Sequence, residues 1–167
     1  MNKNTKRLAV LALGISLAMI LSFVESQIPP LSAVPGVKIG LSNIVTVVLL
    51  YTLGIREAAC VSLVRLCLST LLFGNAVGFI YSLSGGVLSL AVMLLAKKFL
   101  PFGTVGVSVL GGVMHNVGQV LAAAVVMESI GVTYYIIPLL ISGTLAGVAV
   151  GIASGIVTSR VSHLLKK

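Results

Sequence analysis

The sequence predicts an all-α integral membrane protein that consists of a six-transmembrane-helix bundle. Of the 167 residues, 58% are hydrophobic and only 8% are charged, whereas a soluble domain has about 25% charged residues. The chain contains no aspartate, and its acidic residues are the three glutamates Glu25, Glu57 and Glu128. Water is therefore not the main solvent of its surface.

Six apolar segments divide the chain, each about long enough to cross a hydrocarbon core of ~30 Å at ~1.5 Å per residue, some only with flanking residues. They cover approximately residues 8–24, 39–53, 58–73, 77–96, 104–127 and 133–159. The second is short, which suggests a tilted or partly re-entrant element. No internal repeat is evident, so residues 1–167 are expected to form a single transmembrane domain.

The positions of the basic residues predict the orientation. With the N-terminus inside, nine of the eleven lysines and arginines lie on the cytoplasmic side, as the positive-inside rule requires. Lys38 falls outside and Arg65 within a helix. Both termini are therefore expected in the cytoplasm. The basic tails then anchor the chain at lipid headgroups, and no nucleic-acid partner is expected.

A group of polar residues lies where hydrocarbon is expected. In the fifth segment His115 and Gln119 share one helix face, and Asn116 lies about 100° around it. Arg65 lies near the centre of the third segment, where an ionised arginine costs about 2.5–3.5 kcal/mol. It must face protein or water, and since no acidic residue lies deep in the membrane, its expected acceptors are amides, backbone carbonyls or a bound anion.

The depth of these groups predicts a cavity that is open to the outside and closed beneath, rather than a channel. Asn43 lies about one turn below the outer end of the second segment, behind Lys38 at its mouth. The candidate substrate-binding residues are Lys38, Asn43, Arg65, His115, Asn116 and Gln119. Structural roles remain open: the amides can hydrogen-bond across helices, and the histidine and arginine can serve the fold alone. Metal and cofactor sites are not expected.

The loop at residues 25–38 is the longest external connection. Its three prolines make it stiff, and its glycine supplies a sharp bend. The candidate lid residues are Glu25, Pro29, Pro30, Pro35 and Gly36. Proline restricts the backbone to extended or turn conformations. Both a lid over the cavity and a simple stiff connector fit this composition.

Small residues mark two helix faces. Gly143, Gly147, Gly151 and Gly155 recur every four residues in the last segment, a spacing that lets another backbone approach closely; packing inside the bundle is favoured. The first segment has a weaker version in Gly14, Ala18 and Ser22. For this face, internal packing and docking on another membrane subunit are equally open.

The stretches "ESQIPPLSAVPGVKIGLSNIV" (25–45), "LLFGNAVGFIYSLSGG" (71–86) and "GGVMHNVGQ" (111–119) resemble the Gx transporter family. That family is also labelled heptaprenyl diphosphate synthase component I, and it is similar in design to the S components of energy-coupling-factor vitamin transporters. The resemblance covers nearly the whole chain. The chain departs from vitamin-binding S components in having no tryptophan.

The resemblance implies an S-component-like subunit of the bacterial plasma membrane that captures a small-molecule ligand. It also implies a transmembrane coupling protein and two cytoplasmic ATPases as partners. On this pattern, the face formed by Gly14, Ala18 and Ser22 docks on the coupling protein, and the loop at residues 25–38 gates the site.

The synthase label itself conflicts with the composition. Prenyl chain elongation binds Mg²⁺-diphosphate through clustered aspartates, because carboxylates suit this hard cation, and the chain has neither an aspartate nor two neighbouring glutamates. We therefore expect a non-enzyme that captures a small, partly hydrophobic solute. The alternative is a non-catalytic membrane scaffold for prenyl-quinone synthesis or extracellular electron transfer.

Overall fold

The computed structural model describes residues 3–27, 40–73 and 76–165, and within these ranges the chain is helical, with no strand. The helices are α1 (Lys3–Gln27), α2 (Asn43–Thr52), α3 (Ile55–Phe73), α4 (Ala76–Phe99), α5 (Thr104–Val126) and α6 (Ile136–Leu165). A 3₁₀ helix, Ile130–Tyr135, precedes α6. The predicted all-α class is confirmed.

Four helical stretches are long and apolar enough to cross a membrane: Arg7–Gln27, Val77–Phe99, Thr104–Val126 and Ile130–Ser162. The other two helices differ from them in length or charge. α3 has 19 residues but carries three charged ones, and α2 has only 10 residues, or ~15 Å at ~1.5 Å per residue. A membrane protein is thus shown, whereas six full crossings remain a prediction.

The shortest helix is also the most buried one. Residues 45–50 of α2 are all buried, and α2 packs against α1, α3, α5 and α6. Its sequence, NIVTVVLLYT, is apolar around most of its circumference, which is typical of a helix enclosed by others. The expected short second element is confirmed, and it forms the centre of the fold.

The last two helices pack through the predicted glycine face. A Cβ atom on Gly147 would lie 2.6 Å from the Cα of Val109, and one on Gly151 would lie 2.5 Å from the Cα of Val105. A Cβ on Gly143 would lie 2.8 Å from the carbonyl oxygen of Gly112, and one on Gly155 would lie 2.9 Å from Thr104 Oγ1. The contacts run in opposite directions along the two helices, so α5 and α6 are antiparallel and in close backbone contact.

The small-residue face of α1 points inward. A Cβ on Gly14 would lie 3.2 Å from Leu49 Cδ1, Ala18 is buried in the core, and Ser22 lines an internal cavity. Of the two alternatives left open by the sequence, the structure shows internal packing. At Gly14 the cover comes from Leu49 of α2 and Val61 of α3, and the docking role implied for this face stays a prediction.

Charged residues gather at one end of the bundle. Arg7 of α1 pairs with Glu57 of α3, and Lys97 Nζ of α4 lies 3.5 Å from the centroid of the Tyr51 ring of α2. We call this the basic end; its basic residues are Arg7, Arg56, Lys97, Lys98 and Arg160. The positive-inside rule predicts that it faces the cytoplasm.

Candidate ligand cavity

A cavity of about 360 Å³ lies inside the bundle, and all six helices contribute to its wall. This volume is near the lower limit of the ~300–1,000 Å³ range of small-molecule pockets. Met93 lines the cavity and also belongs to the buried core, which contains Leu50, Val61 and Val107. Closure of the cavity toward the basic end stays a prediction.

Arg65 lies on the cavity wall and is held by the start of α2. Its Nη1 donates a hydrogen bond to Ser42 Oγ at 2.6 Å, and its Nη2 donates one to Asn43 Oδ1 at 3.4 Å. Its Nε is buried and has no acceptor among the described residues. Arg65 thus faces protein and a cavity rather than lipid, and an amide and a hydroxyl are its acceptors.

A turn before α2 brings these two acceptors to Arg65. Gly40 has a φ of 77°, which a residue without a Cβ adopts at little cost. Its carbonyl accepts a hydrogen bond from the backbone N–H of Asn43 at 2.9 Å. The chain therefore enters α2 in the middle of the bundle. Ser42 is almost fully buried there, which fixes the orientation of its hydroxyl.

Glu25 belongs to the cavity wall. It lies in the last turns of α1, and its Oε1 accepts a hydrogen bond from the Gly40 amide. Its carboxylate also attracts the Arg65 guanidinium electrostatically, although the two are farther apart than the 4.0 Å of an ion pair. The first apolar segment ends at residue 24 and so predicts Glu25 in the lid loop, whereas α1 continues to Gln27.

The rest of the predicted loop cannot be compared with the structure. Pro29, Pro30, Pro35, Gly36 and Lys38 lie outside the described residues. Their roles as a lid, and of Lys38 as a substrate contact, stay predictions.

The polar residues of α5 separate into two groups. His115 and Asn116 line the cavity, and Asn116 Nδ2 also donates a hydrogen bond to the Leu139 carbonyl of α6. Gln119 is not part of the cavity wall. Its Cγ would lie 2.8 Å from a Cβ on Gly85, so it packs between α4 and α5. His115 approaches the same glycine, which confirms that the two residues share a helix face.

The serines on the cavity wall were not among the predicted substrate-binding residues. Serines from four helices and from the turn before α2 line the cavity: Ser22, Ser26, Ser42, Ser69, Ser82 and Ser108. The Oγ of Ser22 is buried and lacks a partner among the described residues. Serine is common in membrane helices for packing reasons, so its sequence position alone carries little signal. The spacing of Ser22, Glu25 and Ser26 by one turn is the signal that reveals a shared face.

Comparison with known proteins gives one match. A search of curated proteins and a search of solved structures found none. The family model described as heptaprenyl diphosphate synthase component I matches residues 15–157, which include every described residue assigned above to the cavity. The chain therefore belongs to the heptaprenyl diphosphate synthase component I family.

Proposed function

We propose that the protein is the substrate-binding membrane subunit of a transporter and that it captures a small, partly hydrophobic solute in this cavity. The observation that carries the proposal is the position of Arg65. Its guanidinium lines the cavity, two of its nitrogens are held by Ser42 and Asn43, and its Nε is left without an acceptor among the described residues.

A solute with an acidic or carbonyl-bearing head group fits this arrangement. Leaving a buried donor unpaired costs about 1–3 kcal/mol, which an acceptor of the solute recovers at Arg65 Nε. Asn43 and Asn116 also line the cavity, and their side-chain amides are suited to orient the head group. Leu66, Met93 and Val150, which also line the cavity, provide contacts for an apolar part.

Capture fits the chain better than catalysis does. Diphosphate chemistry with Mg²⁺ needs carboxylates close together, but Glu25 lies at the cavity and Glu57 at the basic end. Glu128 is exposed beyond the end of α5. The energy for transport would come from a separate coupling protein with cytoplasmic ATPases, in line with the resemblance to S components.

The test is to replace Arg65 and measure which small molecules the protein retains. Gently extracted protein is incubated with a metabolite extract of the source cells, washed and analysed by mass spectrometry. We expect the unchanged protein and the Arg56→Ala control, altered at the exposed basic end, to enrich the same compounds. Arg65→Ala should retain at least about tenfold less of these compounds, because a charge-assisted hydrogen bond contributes about 1.5–3 kcal/mol to binding.

Equal retention by a well-folded Arg65→Ala protein would refute the proposed site. Size-exclusion chromatography establishes the folding of each variant. Arg65→Lys provides a second comparison, because it keeps the charge but cannot donate to Ser42 and Asn43 in the same two-point geometry. We expect Arg65→Lys to retain less of these compounds than the unchanged protein and more than Arg65→Ala.

A second candidate is favoured by the family description, which names a component of a prenyl diphosphate synthase. On this alternative, the chain is a non-catalytic membrane scaffold for prenyl-quinone synthesis or extracellular electron transfer. Co-purification separates the two. ATPase subunits support transport, whereas a prenyl-synthesis or flavin-bearing partner supports the scaffold.

A further inference from the structure

Two opposite charges stand on the wall of the cavity without touching. Glu25 belongs to α1 and Arg65 to α3, and both line the same space. They attract each other electrostatically but are not within ion-pair distance. Neither charge is therefore neutralised by direct contact with the other, and the space beside them is large enough for a small molecule.

The helix termini strengthen this separation of charge. Glu25 lies near the C-terminus of α1, where the unpaired carbonyls carry partial negative charge, and Arg65 is bonded to the N-terminal residues of α2, where partial positive charge accumulates. The cavity thus has a negative wall at Glu25 and a positive wall at Arg65.

An unpartnered polar atom accompanies each charge. Arg65 Nε and Ser22 Oγ are both buried without a hydrogen-bond partner among the described residues, and both residues line the cavity. Ser22 precedes Glu25 by three positions and so lies on the same face of α1. Each wall therefore has one charged group and one buried polar atom that lacks a partner among the described residues.

We propose that the captured solute has a zwitterionic head group, with its anionic part on Arg65 and its cationic, hydrogen-bond-donating part on Glu25 and Ser22. This inference rests on the proposed solute-binding function. A simple anion would satisfy Arg65 but would be repelled by the Glu25 carboxylate at low local dielectric. A zwitterion pairs with both walls and leaves the charge of the cavity unchanged.

The experiment compares Glu25→Gln with the matched control Glu128→Gln, whose carboxylate is exposed and away from the cavity. Both purified proteins, together with the unchanged protein and Arg65→Ala, are incubated with the metabolite extract and the retained compounds are identified. We expect the unchanged protein and Glu128→Gln to enrich compounds that bear both an acidic and a cationic group. Glu25→Gln should lower this enrichment about tenfold and retain simple anions better.

The possible outcomes separate this inference from the proposed function. Arg65-dependent retention of compounds that have an acidic group but no cationic group overturns the zwitterion and leaves solute capture standing. Full retention of zwitterions by Glu25→Gln overturns it as well. If no compound depends on Arg65, both proposals are wrong. Aqueous and organic extraction distinguish a free zwitterionic solute from a zwitterionic lipid head group, and either result supports the proposal.

Discussion

At the scale of single residues, the cost of placing a charge in hydrocarbon makes Arg65 predictable. An arginine at mid-segment must find acceptors, and Ser42 and Asn43 supply them. Glu25 was not predictable as a cavity residue, because its role depends on α1 continuing to Gln27. Gln119 shows the limit of helical-face arguments: it shares a face with His115, but Gly85 of α4 takes up that part of the face.

The Glu57 carboxylate gives a prediction about pH at the basic end. A hydrogen bond from its own backbone, followed by the hydrogen bond and charge of Arg7, lowers the pKa of Glu57 below the ordinary 4.5. A lowered pKa in the folded state means that the ionised carboxylate stabilises the fold above about pH 4.5 and that this contribution is lost as the pH falls through the folded-state pKa. We expect the thermal midpoint to fall on acidification through this range.

The measurement is a series of melting curves of detergent-solubilised protein from neutral to acidic pH. Glu57→Gln should show a smaller fall than the unchanged protein, since it has no carboxylate to protonate. Glu128→Gln, which leaves the Arg7–Glu57 pair intact, should behave as the unchanged protein does. A Glu57→Gln curve with the full pH dependence would contradict the assignment.

At the scale of elements, the four-residue glycine repeat of α6 correctly predicted close packing, because such spacing places every glycine on one stripe. The same argument left α1 undecided. A stripe of small residues looks identical in sequence whether its partner belongs to the same chain or to another. Only the positions of α2 and α3 show that Gly14 and Ala18 are covered internally.

Gly147 tests the contact between α5 and α6. A Cβ there would lie 2.6 Å from Val109 Cα and 2.9 Å from the Ser108 carbonyl oxygen, and these backbone atoms cannot move without shifting a helix. Alanine is the better helix former by about 1 kcal/mol, but overpacking costs about 1–3 kcal/mol. We expect Gly147→Ala to unfold at a lower temperature or denaturant concentration.

Gly131→Ala is the control for this substitution. The nearest atom that its Cβ would meet is Ser129 Oγ at 3.4 Å, an ordinary contact. Its midpoint should stay close to that of the unchanged protein. A Gly147→Ala protein as stable as this control would show that the two helices separate easily.

At the scale of the whole molecule, the number of helices and their boundaries were largely predictable from hydropathy, since the lipid requires long apolar runs. The cavity was predictable only in outline. Polar groups at one depth indicate an internal hollow, but its walls depend on which helices are neighbours, and no periodicity encodes that. The serines are the clearest case, because each becomes a cavity residue only through the packing of the other helices.

The predicted orientation can be measured by labelling single cysteines in intact cells. The background carries Cys60→Ser and Cys67→Ser, and the reporters are Gly103→Cys near the basic end and Ser129→Cys at the opposite end. A membrane-impermeant maleimide should label the position at 129 and reach the position at 103 only after the membrane is opened. The reverse pattern would place the basic end outside.

The central helix α2 has a consequence for biosynthesis. It is too short to be held by lipid and is enclosed partly by α6, whose Ser154 Oγ donates to the Ile44 carbonyl at 3.4 Å. α6 leaves the ribosome after α2 and α3, so the nascent chain holds the Arg65 acceptors on a helix that still lacks one of its packing partners until α6 has been synthesised. The wall of the cavity is therefore completed only after α6 has packed against the earlier helices.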